Sequence, residues 1–451
     1  MTQRTLTALL LSTLILPLPS VFPVGGIVAD GAAMAQDNGG GSDDNGGGSD
    51  DGGGFRNGGG SDDRQRRQRQ RRVAAPPPPP PVAAPDEVVV TDLSPEALTL
   101  LQDEGFTLIS EEDLASFGLR LTRLRVPTAL GLDGARARVR ALPGGEDADF
   151  NHFYRAGQGD EEPSEDACVH ENCPALQLVA WPSERLEACS VSVPVGVIDT
   201  GVNAEHDILN GARLEVVRMA DAGLDPSAAV HGTAVTSLLV GAEESRVPGL
   251  IPEAEVIAVD VFSAVAGDER ADVPSLLRGL DLLRGRGVRV MNLSLAGPEN
   301  GVLQVALDAM AGPEGTVIVA AAGNAGPEAP PAWPAAHPAV LAVTAVDARG
   351  RVYRGAQRGA HIDLAAPGVG LLAATSIRGA RGKTGTSYAV PFVTAAAAVM
   401  LSQNPALSPD EVAAGLKARA RDLGAEGADE VFGAGLLEAS AICDPVSVAM
   451  D

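Results

Sequence analysis

Apolar and polar positions follow two contrasting patterns along this chain. Between residues 86 and 155 the apolar runs are short and partly alternating. Val88, Val89 and Val90 read as a strand, 105–109 starts another, 119–127 alternates as a half-exposed strand, and 149–154 closes the region as a last strand. Ser94 followed by Pro95 opens a capped helix, and 133–142 forms a second, Arg-rich one. Two helices on an antiparallel sheet are the expected outcome, a small α+β domain. From residue 191 the runs become continuous, at 194–198, 255–261, 288–293, 316–322 and 340–346, with helical stretches at 231–241, 275–284 and 387–401. Continuous apolar strands separated by helices predict an α/β fold, a parallel sheet covered by helices on both faces. Its functional loops should gather at the C-terminal ends of the strands.

Neither pattern is present before residue 86. Residues 1–35 have the basic start, leucine-rich middle and small-residue end (Ala33, Met34, Ala35) of a secretory signal peptide, and Pro17, Pro19 and Pro23 break the apolar run below the length of a membrane span. Residues 36–85 form a linker: Gly/Asp repeats at 39–44, 46–51 and 58–63, an Arg/Gln run at 64–72, and a polyproline stretch at 76–81. Residues 156–190 are a cysteine-bearing connector, 191–443 the α/β domain, and 444–451 a tail. No later segment reads as transmembrane, so the expectation is an exported protein, extracellular or periplasmic, with no integral membrane segment after signal cleavage. The end at Asp451 is taken to leave no room for an outer-membrane barrel.

Composition narrows the partners. With 45% apolar residues the 451-residue chain can bury a sizeable core, and 34 basic against 59 acidic residues give a net charge of −25, which disfavours nucleic acid. The four cysteines lack paired C-x-x-C units, which argues against zinc. Their spacing suggests a local Cys168–Cys173 closure and a Cys189–Cys443 bridge tying the ends of the α/β domain.

Three residues carry candidate chemistry. Ser387 sits where a tight turn opens an apolar helix, and a helix start offers unpaired N–H groups beside any negative charge that develops there. Asp199 ends the apolar run 194–198, and His231 begins the helix 231–241. Taken singly, each has a blander reading: a helix cap, a strand-end cap, a structural histidine. Taken together they make a nucleophile, a base and an orienting carboxylate. A neutral hydroxyl is a weak nucleophile unless an imidazole removes its proton.

In that order, Asp199, His231, Ser387, and in the motifs around each, residues 191–441 resemble the subtilisin-like serine peptidases, the subtilase family. The resemblance implies a serine endopeptidase acting through an acyl-enzyme on polypeptide substrates. It makes Asn324 the side-chain oxyanion donor and the Ser387 N–H the second donor. Ser294, Leu295, Ala296 and Gly297 become the segment that pairs with substrate, and Ala321, Ala322 and Gly323 the facing pocket wall. It also makes residues 86–155 similar to the family's propeptide, so that the protein is a self-processing zymogen with its own propeptide as a partner. Departures are Ala296 where glycine is usual, Tyr388 after the nucleophile, Phe392, and Ala234 in place of a second histidine. No residue set matches a family calcium site, so structural calcium stays open and no cofactor or metal is assigned. A monomer is expected. The alternative on the same fold is a catalytically silent peptide-binding or inhibitory protein.

Overall fold

The computed structural model describes residues 79–157, 172–182 and 189–443. The signal peptide, most of the linker, Cys168 and the tail lie outside them.

The first folded unit runs β1 (Ala83–Thr91), α1 (Pro95–Asp103), β2 (Thr107–Leu114), β3 (Leu119–Arg125), α2 (Gly131–Arg140) and β4 (Asp149–Ala156). Ser94 accepts the Ala97 N–H at 3.1 Å and so caps α1. The strands lie in the order β2-β3-β1-β4, all antiparallel. Strand alternation then divides β1 between two cores. Val88 and Val90 face α1 and α2, meeting Leu101, Leu124, Ala135 and Val139. Val89 faces the other way, into a core shared with the α/β domain.

The connector carries α3 (Cys173–Leu178), whose Ala175 packs into the core of the α/β domain, and that domain begins with β5 (Val195–Asp199), β6 (Arg213–Arg218), β7 (Asp225–Pro226) and α4 (Val230–Val240). It continues through β8 (Glu255–Asp260), β9 (Phe262–Val265), β10 (Asp268–Asp272), α5 (Val273–Gly285), β11 (Val290–Leu293), β12 (Leu295–Ala296), α6 (Gly301–Met310), β13 (Val317–Ala321) and β14 (Val340–Val346). It ends with β15 (Leu364–Pro367), β16 (Leu371–Ala374), β17 (Ala380–Lys383), α7 (Thr386–Gln403) and α8 (Pro409–Arg419). Seven of these strands form one parallel sheet in the order β15-β14-β13-β11-β5-β8-β6. Helices α4, α7 and α8 cover one face and α5 and α6 the other, as continuous apolar strands require. Helix α7 is buried on every side from Thr386 to Leu401. Cys189 and Cys443 are bridged across a sequence separation of 254 residues, as their spacing suggested.

One feature departs from expectation. Strand β4 runs two residues past Tyr154, because it acquires partners on the α/β domain: β10 at Ala271 and Asp272, and β12 at Leu295 and Ala296. The sheet of the first unit thereby continues through β4 into β10, β9 and β7. Among the described residues no helix is long and apolar enough to cross a membrane.

Candidate active site

Asp199 ends β5, and its Oδ1 lies 2.7 Å from His231 Nδ1, with both side chains fully buried. The same oxygen accepts the Thr200 N–H at 2.7 Å. His231 is delivered by a strained turn, since Ala229, the residue before α4, has φ 52°. A Cβ on Gly232 would overlap the Thr200 carbonyl, so only glycine lets this helix approach the strand end closely enough for the pair to meet. Across the register from Asp199 stands Asp260. Burial pushes the Asp260 carboxyl upward, while the Phe262 N–H and the Arg218 guanidinium, 2.6 Å away, oppose that shift.

Ser387 is the second residue of α7, preceded by Gly385 at φ 149° and ψ 158°, a conformation essentially reserved for glycine. Pro391 lies inside the helix and cannot donate to the Ser387 carbonyl four residues back. The Ser294 hydroxyl donates instead, at 2.9 Å, and Asn292 Nδ2 donates in turn to Ser294 Oγ at 2.8 Å. A buried polar chain from the end of β11 thus fixes the first turn of α7. The Ser387 hydroxyl donates to the Ser294 carbonyl at 3.2 Å.

Asn324 follows β13. Its Oδ1 accepts both the Thr386 N–H and the Thr386 hydroxyl, each at 3.0 Å. With the oxygen engaged twice, the NH2 group must point the other way, and Nδ2 is buried with no hydrogen-bond partner among the described residues. A buried donor left open beside a serine is the arrangement that anion stabilisation in a transition state requires.

Ser294, Leu295, Ala296 and Gly297 follow β11, the Ser294 carbonyl accepting the Ser387 hydroxyl, while Ala321 ends β13 and Ala322 and Gly323 lead from it to Asn324. Gly297 exchanges two backbone hydrogen bonds of 2.9 Å with Trp333. Strand β4 lies along the first of these segments in antiparallel register, Ala156 opposite Leu295 and Arg155 opposite Ala296. Tyr154 is fully buried, its ring packed on Gly297 and its hydroxyl donating to the Pro298 carbonyl at 3.0 Å. The chain then reaches Gly157, whose carbonyl lies 3.2 Å from His231 Nε2. A Cβ at Gly157 would stand 2.6 Å from Ser387 Oγ and 2.6 Å from Asn324 Nδ2. His231, Ser387 and Asn324 are therefore gathered around one point, with Asp199 behind His231, and a backbone segment of the first unit occupies it. Tyr388 packs beside the His231 ring, centroids 5.4 Å apart, while Phe392 and Ala234 are core residues.

Sequence reasoning did not single out Gly157, Asn292, Thr386 or Thr200. The last two adjoin recognised residues and carry hydroxyls that the neighbouring backbone could use. Asn292 and Gly157 have no local signal.

A strand-end carboxylate, a buried imidazole and a helix-start serine on a parallel sheet define the class as a serine-type hydrolase. Residues 191–435 match the Peptidase_S8 family, the subtilase family, and the chain belongs to it. It is 31% identical over 240 residues to subtilisin DY of Bacillus licheniformis, covering 52% of this chain and 85% of that protein. It is also 31% identical over 274 residues to subtilisin BL of Lederbergia lenta, covering 59% and 98%. Among solved structures, the protease domain of PatA, as a mutant, is similar at 28% identity and TM-score 0.50, covering 57% of this chain and 96% of that one. Fervidolysin of Fervidobacterium pennivorans shares the fold at 19% identity and TM-score 0.63, covering 81% and 62%. The protein is a serine-type endopeptidase.

Proposed function

We propose that this chain is an exported endopeptidase made as a precursor that cuts itself, with Ser387 as nucleophile, His231 as base, Asp199 as its orienting partner and Asn324 as oxyanion donor. The observation that carries this reading is the path of β4, which runs along Leu295 and Ala296 as a substrate would and delivers Gly157 to all three reacting groups. The bond to be cut is then Gly157–Gln158.

In the reaction the Ser387 hydroxyl turns from the Ser294 carbonyl toward His231 Nε2 and gives up its proton as Oγ attacks the Gly157 carbonyl carbon. The Gly157 oxygen leaves its place at Nε2 and takes its negative charge toward Asn324 Nδ2 and the Ser387 N–H. As the tetrahedral adduct collapses, the imidazolium, held by Asp199, protonates the Gln158 amine. The C–N bond breaks, leaving an ester on Ser387, and water attacks that ester with His231 again as base. Residues 79–157 serve as a propeptide that fills the cleft in the precursor. The basic, leucine-rich start of the chain supports export.

Wild type and Ser387→Ala, compared by intact mass and by labelling with a fluorophosphonate, test this. Wild type is expected to yield a fragment beginning at Gln158 and, once the first unit has left the cleft, to take up label, and the mutant to do neither. A wild-type chain that stays whole and unlabelled under folding conditions would leave the catalytically silent, peptide-binding reading standing.

A further inference from the structure

Resting on the reading of Gly157–Gln158 as the bond cut, we propose that this endopeptidase selects glycine as the residue donating the scissile carbonyl, and that Gln357 closes the pocket against larger side chains there. Two independent contacts carry the proposal. The first is at Gly157, where a Cβ would lie 2.6 Å from both Ser387 Oγ and Asn324 Nδ2, closer than real Cβ contacts come. Relief would have to come from the serine oxygen or the asparagine amide. Asn324 is held through its two bonds from Thr386, and Ser387 Oγ has to leave the Ser294 carbonyl for the carbonyl carbon of Gly157, so neither can yield to a Cβ and keep the reacting geometry. A side chain at this position therefore displaces the groups on which the reaction depends.

The second contact concerns the reacting pose, in which the Gly157 carbonyl has turned toward Asn324 Nδ2 and a side chain on the same residue would turn away from it, into the space beside Gly323. Gln357 is buried at 4% exposure and packs on Gly323. Its backbone N–H donates to the Gly323 carbonyl at 3.1 Å, and its Nε2 donates to the Pro330 carbonyl. A Cβ on Gly323 would overlap Gln357 Oε1 and come within 3.2 Å of the Ala332 methyl. The side chain of Gln357 thus lies between Gly323 and Pro330, filling volume that a large side chain needs.

Quenched peptides of sequence Tyr-Arg-Ala-Xaa-Gln-Gly, with Xaa as Gly, Ala, Leu or Phe, test this on the self-processed enzyme after the first unit has been released from the cleft, with active sites titrated by fluorophosphonate. Glycine is expected to exceed leucine and phenylalanine by ~100-fold or more in kcat/KM, the scale on which pocket volume discriminates. Gln357→Ala should raise leucine or phenylalanine cleavage at least ~10-fold at an unchanged site titre. Gln357→Ser, which shortens the side chain but keeps a polar end, serves where Gln357→Ala yields no titratable enzyme. Equal cleavage of the glycine and phenylalanine peptides by wild type overturns the selectivity, and an unchanged preference in a fully titrating Gln357 variant overturns the role of Gln357. Absence of both label and cleavage in wild type removes the catalytic reading itself, and the selectivity with it.

Discussion

Replacing Asn324 separates the chemistry of the cleft from its architecture. Its side chain makes three polar commitments. Oδ1 takes two donors from Thr386, and Nδ2 faces Gly157 without a hydrogen-bond partner among the described residues. Asn324→Ala removes all three. Loss of the waiting donor should cost about 3 kcal/mol of transition-state stabilisation, a fall in kcat of roughly 150-fold. Loss of the acceptor strands the Thr386 N–H at the first residue of α7, which should lower stability by about 1–2 kcal/mol. Asn324→Asp keeps an oxygen for Thr386 and replaces the donor with a second oxygen. It should therefore lose at least as much kcat as the alanine variant while holding its melting temperature near that of wild type. Steady-state kinetics on a quenched peptide, with calorimetry on the Ser387→Ala background, read the two effects separately. If Asn324→Asp retains kcat within ~3-fold, or if the loss falls in KM alone, Asn324 is not an oxyanion donor.

Two further expectations come from the surroundings of the site. Ser294→Ala leaves the Ser387 carbonyl without the donor that substitutes for the missing Pro391 N–H, so it should lower stability by about 1–2 kcal/mol; adding Pro391→Ala, which restores an intrahelical donor, should recover part of that loss in chemical denaturation, and no recovery would sever the two residues. His152, on β4, accepts from Asn300 Nδ2 at 3.0 Å when neutral at Nδ1, and burial holds its pKa below 6.5, with Arg136 acting in the same sense and Asp149 opposing. The packed ring stays neutral where an exposed one takes up a proton, so its contribution is whole above pH 6.5 and declines as pH falls below that value. His337 and His361 are shifted the same way. The test is therefore the difference between Ser387→Ala and Ser387→Ala with His152→Gln in melting temperature from pH 7.5 to 5: a shallower decline in the double variant is expected, and parallel curves would remove His152 from the account.

The limits of sequence reading follow from where the contacts lie. The continuous apolar runs ending at Ile198, Leu293 and Ala321 make a parallel sheet readable, because strands buried on both faces admit nothing else. Asp199, His231 and Ser387 are readable because each stands at the junction of a strand or helix with a glycine turn. Strand β10 is different. Its sequence, Asp268 to Asp272, has one apolar residue and no alternation, and it is a strand through its pairing with β4 and β9. Strand β12 is two residues long and lacks any periodic signal. The apolar run 387–401 reads as one helix through Pro391, but the donor that replaces the missing Pro391 N–H is the Ser294 hydroxyl, far away in sequence and without a local signal.

The placement of Gly157 also separates cutting from opening. Hydrolysis after Gly157 would break one bond at the end of β4 and leave the rest of that strand's contacts in place. Arg155 would still hold Asp268 through two hydrogen bonds of 2.8 and 3.0 Å, and Asn151 Oδ1 would still accept the first N–H of α5 from Val273 at 3.2 Å. Arg278 would still hold Glu112 at 3.1 Å, and Val89, Leu114, Leu121 and Tyr154 would remain inside the core they share with α5 and α6. None of these depends on the chain continuing past Gly157. The new carboxylate at Gly157 would lie where its oxygen already meets His231 Nε2. The cut would therefore leave the hold of β4 in place, and the cleft would open to other peptides only when the first unit leaves, through exchange, proteolysis or protonation of groups such as His152.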